Sequence, residues 1–328
     1  MSVVFHTNYL DHRQWQGHPE SPYRLVSAID KMMKWGIWGD VVVPEPATRE
    51  DLLLVHDEGL VDRVEGSENR YLDPDTYVHR ETYDIALLAA GGTVEAARRC
   101  LDGVPILAMV RPPGHHAGRD FSGGFCYFNN GGVAIEKLGK RTAIVDLDVH
   151  HGNGTQSIYY DSDEVLYIST HQYGTYPGTG KEGECGAGAG EGYTVNLPFS
   201  GGTGDSSFLY AFERVIEPIL RLFEPEMLLI DLGVDAHYKD PLASLALSSP
   251  GYLELCRRLL QIPSQGSFFL LEGGYHLDST GEVIAGLAAS LMGETVELRY
   301  NDSPDTGVCS RETVDRVADL QRAYWDLE

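Results

Sequence analysis

With 328 residues and 42% apolar content, the chain is long enough for one large or two medium domains and rich enough in core formers to exclude disorder. Its formal charge of −24 excludes nucleic acid as a partner, because phosphate would be repelled, and favours cationic substrates through long-range steering alone. No stretch reaches the apolar length of a membrane span, the first residues lack the basic start and apolar core of a signal peptide, and the 5 cysteines include no Cys-x-x-Cys pair. The expectation is a cytoplasmic protein with no membrane partner, no disulfide framework and no zinc knuckle.

In chain order, Val3-Val-Phe reads as a short strand, and His18–Arg24 as a loop entering a helix near Ser21 with Pro22 in its first turn. Leu25, Ile29, Met32 and Met33 give that helix an apolar face. Asp40–Val43 reads as a second strand, and Glu50–His56 as a short helix that Thr48 could cap. A helix is expected over Glu81–Leu101, with Gly91-Gly92 as a close-packing point rather than a break. Beyond residue 100, strand-like runs (Val104–Val110, Arg141–Leu147, Glu164–Thr170, Tyr193–Phe199, Glu226–Gly233 and Ser267–Glu272) alternate with helical patterns at Asn130–Leu138, Ser206–Phe223, Tyr252–Ile262 and Gly281–Met292. A final helix is expected over Glu312–Trp325, and Gly183–Gly192 reads as a surface loop. Runs apolar throughout, separated by helices, predict an α/β domain with a parallel sheet covered on both faces. No linker, repeat or low-complexity tract divides the chain, so 1–328 reads as one domain.

Polar motifs fall at the carboxyl ends of five of these runs, where open α/β sheets place their sites. The central one is Ala143–Gln156, a buried strand opening into Asp146, Asp148 and His150, which share one face when extended. Asp148, His150 and Asp235 supply O, N and O donors and leave a coordination position free, the pattern of a catalytic zinc. His115 and His116, on a Gly-containing loop, can serve as general base and acid, with Asp146 and Asn153 available to fix their tautomers. Tyr275, after two glycines, can donate its phenol hydrogen to an oxyanion. His171 and His237 read as structural or rim histidines.

Several ordered motifs carry a resemblance: Arg111-Pro-Pro-Gly-His-His-Ala117, Gly123-Gly-Phe-Cys-Tyr-Phe-Asn-Asn130, Asp146–Gln156, Tyr176-Pro-Gly-Thr-Gly180, Asp235–Leu242 and Glu272-Gly-Gly-Tyr275. From His18 to about Leu277 the chain resembles the zinc-dependent histone deacetylase family, in its class II branch with the bacterial and acetylpolyamine amidohydrolases. The resemblance implies the arginase/deacetylase fold, a single α/β domain around an eight-stranded parallel sheet flanked by helices. It assigns zinc to Asp148, His150 and Asp235, the histidine pair to His115 and His116, and the phenol to Tyr275. It implies Gly124, Phe125, Tyr176 and Leu242 as substrate-binding residues of an acyl-lysine tunnel, and Arg24 as a buried arginine near a release channel. It further implies K⁺ held by Asp146, Ser169 and Thr170 with the backbone of Asp148 and His150. Asn153 in place of Asp matches class II. One departure is Asp231-Leu-Gly-Val234, which sets an extra carboxylate beside the metal-binding strand. Another is a Tyr9–Gly17 loop longer than usual, in a region that shapes the pocket mouth and homo-oligomer contacts.

The function expected is zinc-dependent hydrolysis of N-acyl amides of primary alkylamines, with acetyl-lysine in peptides or proteins first and an acetylated polyamine as the alternative partner. The apolar Leu242 after Asp240-Pro241 favours acyl-lysine. A non-catalytic acyl-lysine or zinc-binding module is the reading from another class, and a two-metal ureohydrolase lacks its further ligands.

Overall fold

Eight short strands, β1 (Val3–Val4), β2 (Val41–Val42), β5 (Ile106–Ala108), β6 (Thr142–Asp146), β7 (Val165–Gln172), β8 (Thr194–Phe199), β9 (Met227–Leu232) and β10 (Gly266–Leu271), form one sheet in the computed structural model, which describes residues 3–305 and 308–327. Its order is β2-β1-β5-β10-β9-β6-β7-β8, and every neighbouring pair is parallel. A separate antiparallel hairpin joins β3 (Arg70–Asp73) to β4 (Thr76–Val78). The central strands are buried along their whole length, as continuous apolar runs require when helices cover both faces. The molecule is thus the single α/β domain with an eight-stranded parallel sheet that the sequence led one to expect.

The strand order positions the site. After β5 the chain crosses to β6, and the late strands β9 and β10 fill the gap between them. The carboxyl ends of β5, β10, β9, β6 and β7 therefore stand side by side, which brings residues more than a hundred positions apart onto one edge.

Local signals explain most boundaries. Thr48 caps the helix Arg49–Leu52 in a reciprocal capping box with Asp51, though that helix ends earlier than the apolar pattern suggests. The helix Thr82–Cys100 runs unbroken through Gly91 and Gly92, where an added Cβ would lie 2.1 Å from the Glu45 carbonyl oxygen and 2.4 Å from the Tyr9 hydroxyl. Those glycines are the close-packing point the pattern implied. The stretch expected as one helix over Ser206–Phe223 changes to π geometry at Phe212–Ile216, just before Pro218, whose missing N–H interrupts the regular ladder. Ser248 and His276 cap the helices Ser249–Leu259 and Leu277–Leu291, which begin earlier than the periodicity indicated. The last helix runs Val308–Gln321, also starting earlier than expected. The helices Glu58–Gly66 and Asn153–Tyr159 and the hairpin were not anticipated.

Candidate active site

Asp148 and His150 follow β6, and Asp235 follows β9; their ligand atoms all lie within 4.8 Å of one another. Backbone amides aim the carboxylates. Asp148 Oδ1 accepts from the His150 amide at 2.9 Å and its Oδ2 from the Gly273 amide at 2.7 Å, while Asp235 Oδ1 accepts from the Val149 amide at 2.9 Å. The cradle needs its glycines: a Cβ on Gly233 would fall 2.2 Å from Asp148 Oδ2, and one on Gly273 2.1 Å from Asp235 Oδ2. Asp235 Oδ2 is buried without a hydrogen-bond partner, although His150 Nδ1 lies 3.2 Å away outside bonding geometry. A buried carboxylate oxygen without a well-aligned hydrogen bond is costly, and a cation is what this donor set fits; two carboxylates and an imidazole suit zinc. The two carboxylates repel each other across the set. Burial and the charge of Asp148 push Asp235 up to about 7, and His150, despite burial, is raised to about 10 by Asp148 and Asp235.

The adjacent histidines are held in different states. His115 Nδ1 lies 3.0 Å from Asp146 Oδ2, which also accepts the Tyr167 hydroxyl at 2.9 Å. Burial opposes charge on His115, but Asp148 and Asp146 outweigh it and raise its pKa well above the usual value. His116 Nδ1 faces Asn153 Oδ1 at 2.8 Å, a neutral acceptor that fixes the Nδ1–H tautomer and leaves Nε2 with its lone pair. Burial, with the positive charges of His115 and His150, depresses His116 well below the usual value. The pair thus holds one cation and one free base, with rings 4.0 Å apart.

A cavity of about 280 Å³ joins these groups to the surface; it is lined by Pro19, Asp75, His116, Gly124, Phe125, His150, Tyr176, Leu242 and Tyr275. All four expected substrate-binding residues, together with Tyr275, therefore face one space with a metal-ligand candidate and the free base. Gly124 and Phe125 both adopt left-handed backbone, at φ 56° and 69°, which is strained for phenylalanine. The hairpin holds that turn: Asp73 Oδ2 accepts the Gly124 amide at 3.2 Å and Thr76 Oγ1 the Phe125 amide at 3.1 Å. Tyr275 is placed by Asp240, whose Oδ2 accepts the Tyr275 and His276 amides, at 2.6 and 3.1 Å.

The sequence reading gave no role to Asp73, Asp75, Thr76 or Asp240. The Asp73-Pro-Asp-Thr turn between alternating tyrosines was a hairpin signal, and Asp240, accepting the Leu242 amide two residues on at 3.0 Å, is an Asx turn.

Behind the site, Arg24 donates to the Gly274 carbonyl at 2.7 Å and to that of Glu272, and its guanidinium sits 5.2 Å from the centre of the Tyr275 ring. Glu20 lies between Arg24 and Arg111, all three fully buried. Asp231, in register with Asp146, is buried with Oδ1 unpartnered, and burial beside Glu272 and Asp146 raises its pKa far above the carboxylate range. Ser169 also pairs with Asp146, on the neighbouring strand, and Thr170 Oγ1 donates to the Asp146 carbonyl at 3.2 Å. His171 Nε2 donates to the Gly180 carbonyl, so its Nδ1 accepts the Ser169 hydroxyl and the lone pairs of that hydroxyl remain available to a cation. His171 and His237 are both buried, consistent with structural roles.

The histone deacetylase domain family matches residues 18–291. A probable deacetylase of Archaeoglobus fulgidus is 43% identical over 292 residues, covering 84% of this chain and 81% of that protein. Histone deacetylase clr3 of Schizosaccharomyces pombe is 35% identical; the match covers 94% of this chain but only 49% of that longer protein. Among solved structures, that of the HDA15 HD domain superposes with a TM-score of 0.91 at 34% identity, covering 99% of this chain and 94% of that one. With a fold, a strand-end site and a sequence match that coincide over most of its length, the chain belongs to the histone deacetylase family.

Proposed function

We propose that the protein is a zinc-dependent deacylase that hydrolyses N-acyl amides of primary alkylamines, with acetyl-lysine in peptides or proteins as its substrate. The observation that carries the reading is the single cavity in which His150, the free base His116, Tyr275 and the aromatic walls Phe125 and Tyr176 meet. Asp148, His150 and Asp235 would hold the zinc ion, which supplies a Lewis acid for the acyl carbonyl and lowers the pKa of water. His116 Nε2 takes a proton from the attacking water and returns it to the leaving amine. His115, cationic on Asp146, steadies the negative charge that develops beside it, and the Tyr275 hydroxyl donates to the oxyanion. Phe125 and Tyr176 flank the alkyl stem and exclude water from it. Asp146, Ser169 and Thr170, with the backbone of Asp148 and His150, would hold a potassium ion, whose charge would brace the Asp146–His150 segment. Asn153 behind His116 and the Glu272-Gly-Gly-Tyr275 ending support placement in the class II and bacterial branch.

A second reading, an acetylpolyamine deacylase with the same machinery, is favoured by one observation. Leu242 gives the mouth an apolar side, but Asp75 lines the same cavity with Asp73 behind it, and burial with the proximity of Asp73 lifts Asp75 to about 6. A substrate carrying a second cation would relieve that carboxylate. Turnover of an acetyl-lysine peptide and of N-acetylputrescine, measured side by side on zinc-loaded protein with a chelated control, tests both. Faster chelator-sensitive release from the peptide supports the first reading; preference for the polyamine moves the function to the second; and activity on neither rejects acetyl substrates.

A further inference from the structure

Next to the Asp148–His150–Asp235 set the fold assembles a second group of donors that the proposed reaction does not need as ligands. A ring nitrogen of His115, Cys126 Sγ and a carboxylate oxygen of Glu272 lie within 4.8 Å of one another, and all three side chains are buried. They arrive from separate elements: the loop after β5, the turn after Gly124-Phe125 and the carboxyl end of β10. Glu272 is anchored in place, its Oε2 accepting the Gly114 and His115 amides at 2.7 and 3.2 Å, which leaves Oε1 to point elsewhere. The Cys126 thiol makes a long contact, 3.5 Å to the Gly124 carbonyl, and is also met by the backbone of His116. With Nδ1 of His115 on Asp146, Nε2 is its free donor, and that atom lies 3.9 Å from Asp148 Oδ1, so the two sets share a wall.

Charge favours a second cation here. Asp146, Asp148, Asp235 and Glu272 are buried acidic side chains around this point, and one dication between Asp148 and Asp235 serves two of them. A sulfur, an imidazole nitrogen and a carboxylate oxygen form a donor set that selects zinc over magnesium or calcium.

We propose that His115, Cys126 and Glu272 form a second zinc site, filled at excess zinc, whose occupation stops turnover. The ion bonds to Cys126 Sγ, His115 Nε2 and Glu272; the thiol proton and the imidazolium proton leave to solvent, and no redox change occurs. Tied to the metal through Nε2, His115 no longer presents that nitrogen to the reacting carbonyl, 3.9 Å from Asp148 Oδ1.

The test uses the full chain, stripped of metal and titrated with Co²⁺ and, in parallel, with Zn²⁺. The first equivalent enters a site with no sulfur. The second is expected to bring up a near-ultraviolet thiolate-to-cobalt absorption, and the second equivalent of zinc to cut turnover by about 100-fold, the low end of what one group stabilising the developing charge contributes. Cys126→Ser is expected to keep basal turnover, to lack the absorption and to escape the inhibition. Absence of the band at two equivalents, or inhibition undiminished in both Cys126→Ser and Cys126→Ala, overturns the proposal. Because the band is read without substrate, a protein inactive at one equivalent that still shows it refutes the deacylase reading and leaves the second site standing.

Discussion

Replacing Glu20 by Gln removes the one carboxylate between two buried guanidiniums, and its cost follows from the structure. Burial alone would lift the Glu20 pKa, but Arg111, through charge and hydrogen bonds, with help from His12 and Arg24, holds it at about 2 against an ordinary 4.5. That depression is worth about 3 kcal/mol of stability at neutral pH. The guanidiniums keep carbonyl acceptors in the variant, on Gly274, Tyr9 and His12, so the loss is of charge compensation more than of bonds. Breaking a buried pair by removing one partner costs about 3–5 kcal/mol, in the same range. Urea unfolding at pH 7, followed by tryptophan fluorescence and far-ultraviolet circular dichroism, is the assay. The sign with pH is fixed as well: a carboxylate with a lowered folded pKa contributes fully above 4.5 and loses its contribution as pH falls toward 2. The difference between wild type and variant is thus expected to stay constant from pH 8 to 5. A loss under about 1 kcal/mol, or a difference that shrinks between pH 8 and 5, refutes the account of this triad.

Three further outcomes are expected. Tyr275→Phe should lower turnover by on the order of 10²-fold with zinc content retained, since a single oxyanion donor is worth that much, and unchanged turnover removes Tyr275 from the chemistry. Gly124→Ala sets a Cβ 2.4 Å from His116 Cδ2 and 2.8 Å from Tyr176 Cε1 on left-handed backbone, so kcat/KM should fall by on the order of 10²-fold while the near-ultraviolet spectrum persists. His56, His12, His171 and His237 are kept neutral chiefly by burial, the first at about 4 and the others at about 3. The unfolded chain binds protons on them from about 6.5 downward and the folded chain does not, so each removes up to roughly 3 kcal/mol by pH 4; tertiary structure intact at pH 4 contradicts this.

The sheet was legible because its strands are apolar throughout and short, and because helical periodicity separates them. Asp148, His150 and Asp235 were legible as donors because a strand has a period of two, which sets Asp148 and His150 on one face, and because their motifs fall at the carboxyl ends of apolar runs. What sequence order hides is the insertion of β9 and β10 between β5 and β6, which is a tertiary choice with no local signature. Hidden for the same reason were the long-range ties of the site: Asp73 and Thr76 bonding the Gly124-Phe125 turn from about fifty residues away, and Asp240 bonding the Tyr275 amide. The early helix starts at Ser249 and Leu277 were missed because the periodic apolar positions begin a turn after the caps. Asp231 was legible as an oddity, but its burial beside Asp146 emerges only from the register of β6 with β9.

The measurement that bears most directly on the central claim is the turnover of an acetyl-lysine peptide by metal-free protein as zinc is added back. The account predicts no turnover without metal and a rise that completes at one equivalent in the wild type, with no recovery in Asp235→Ala. Turnover that is independent of zinc, or recovery that is undiminished in Asp235→Ala, would contradict it.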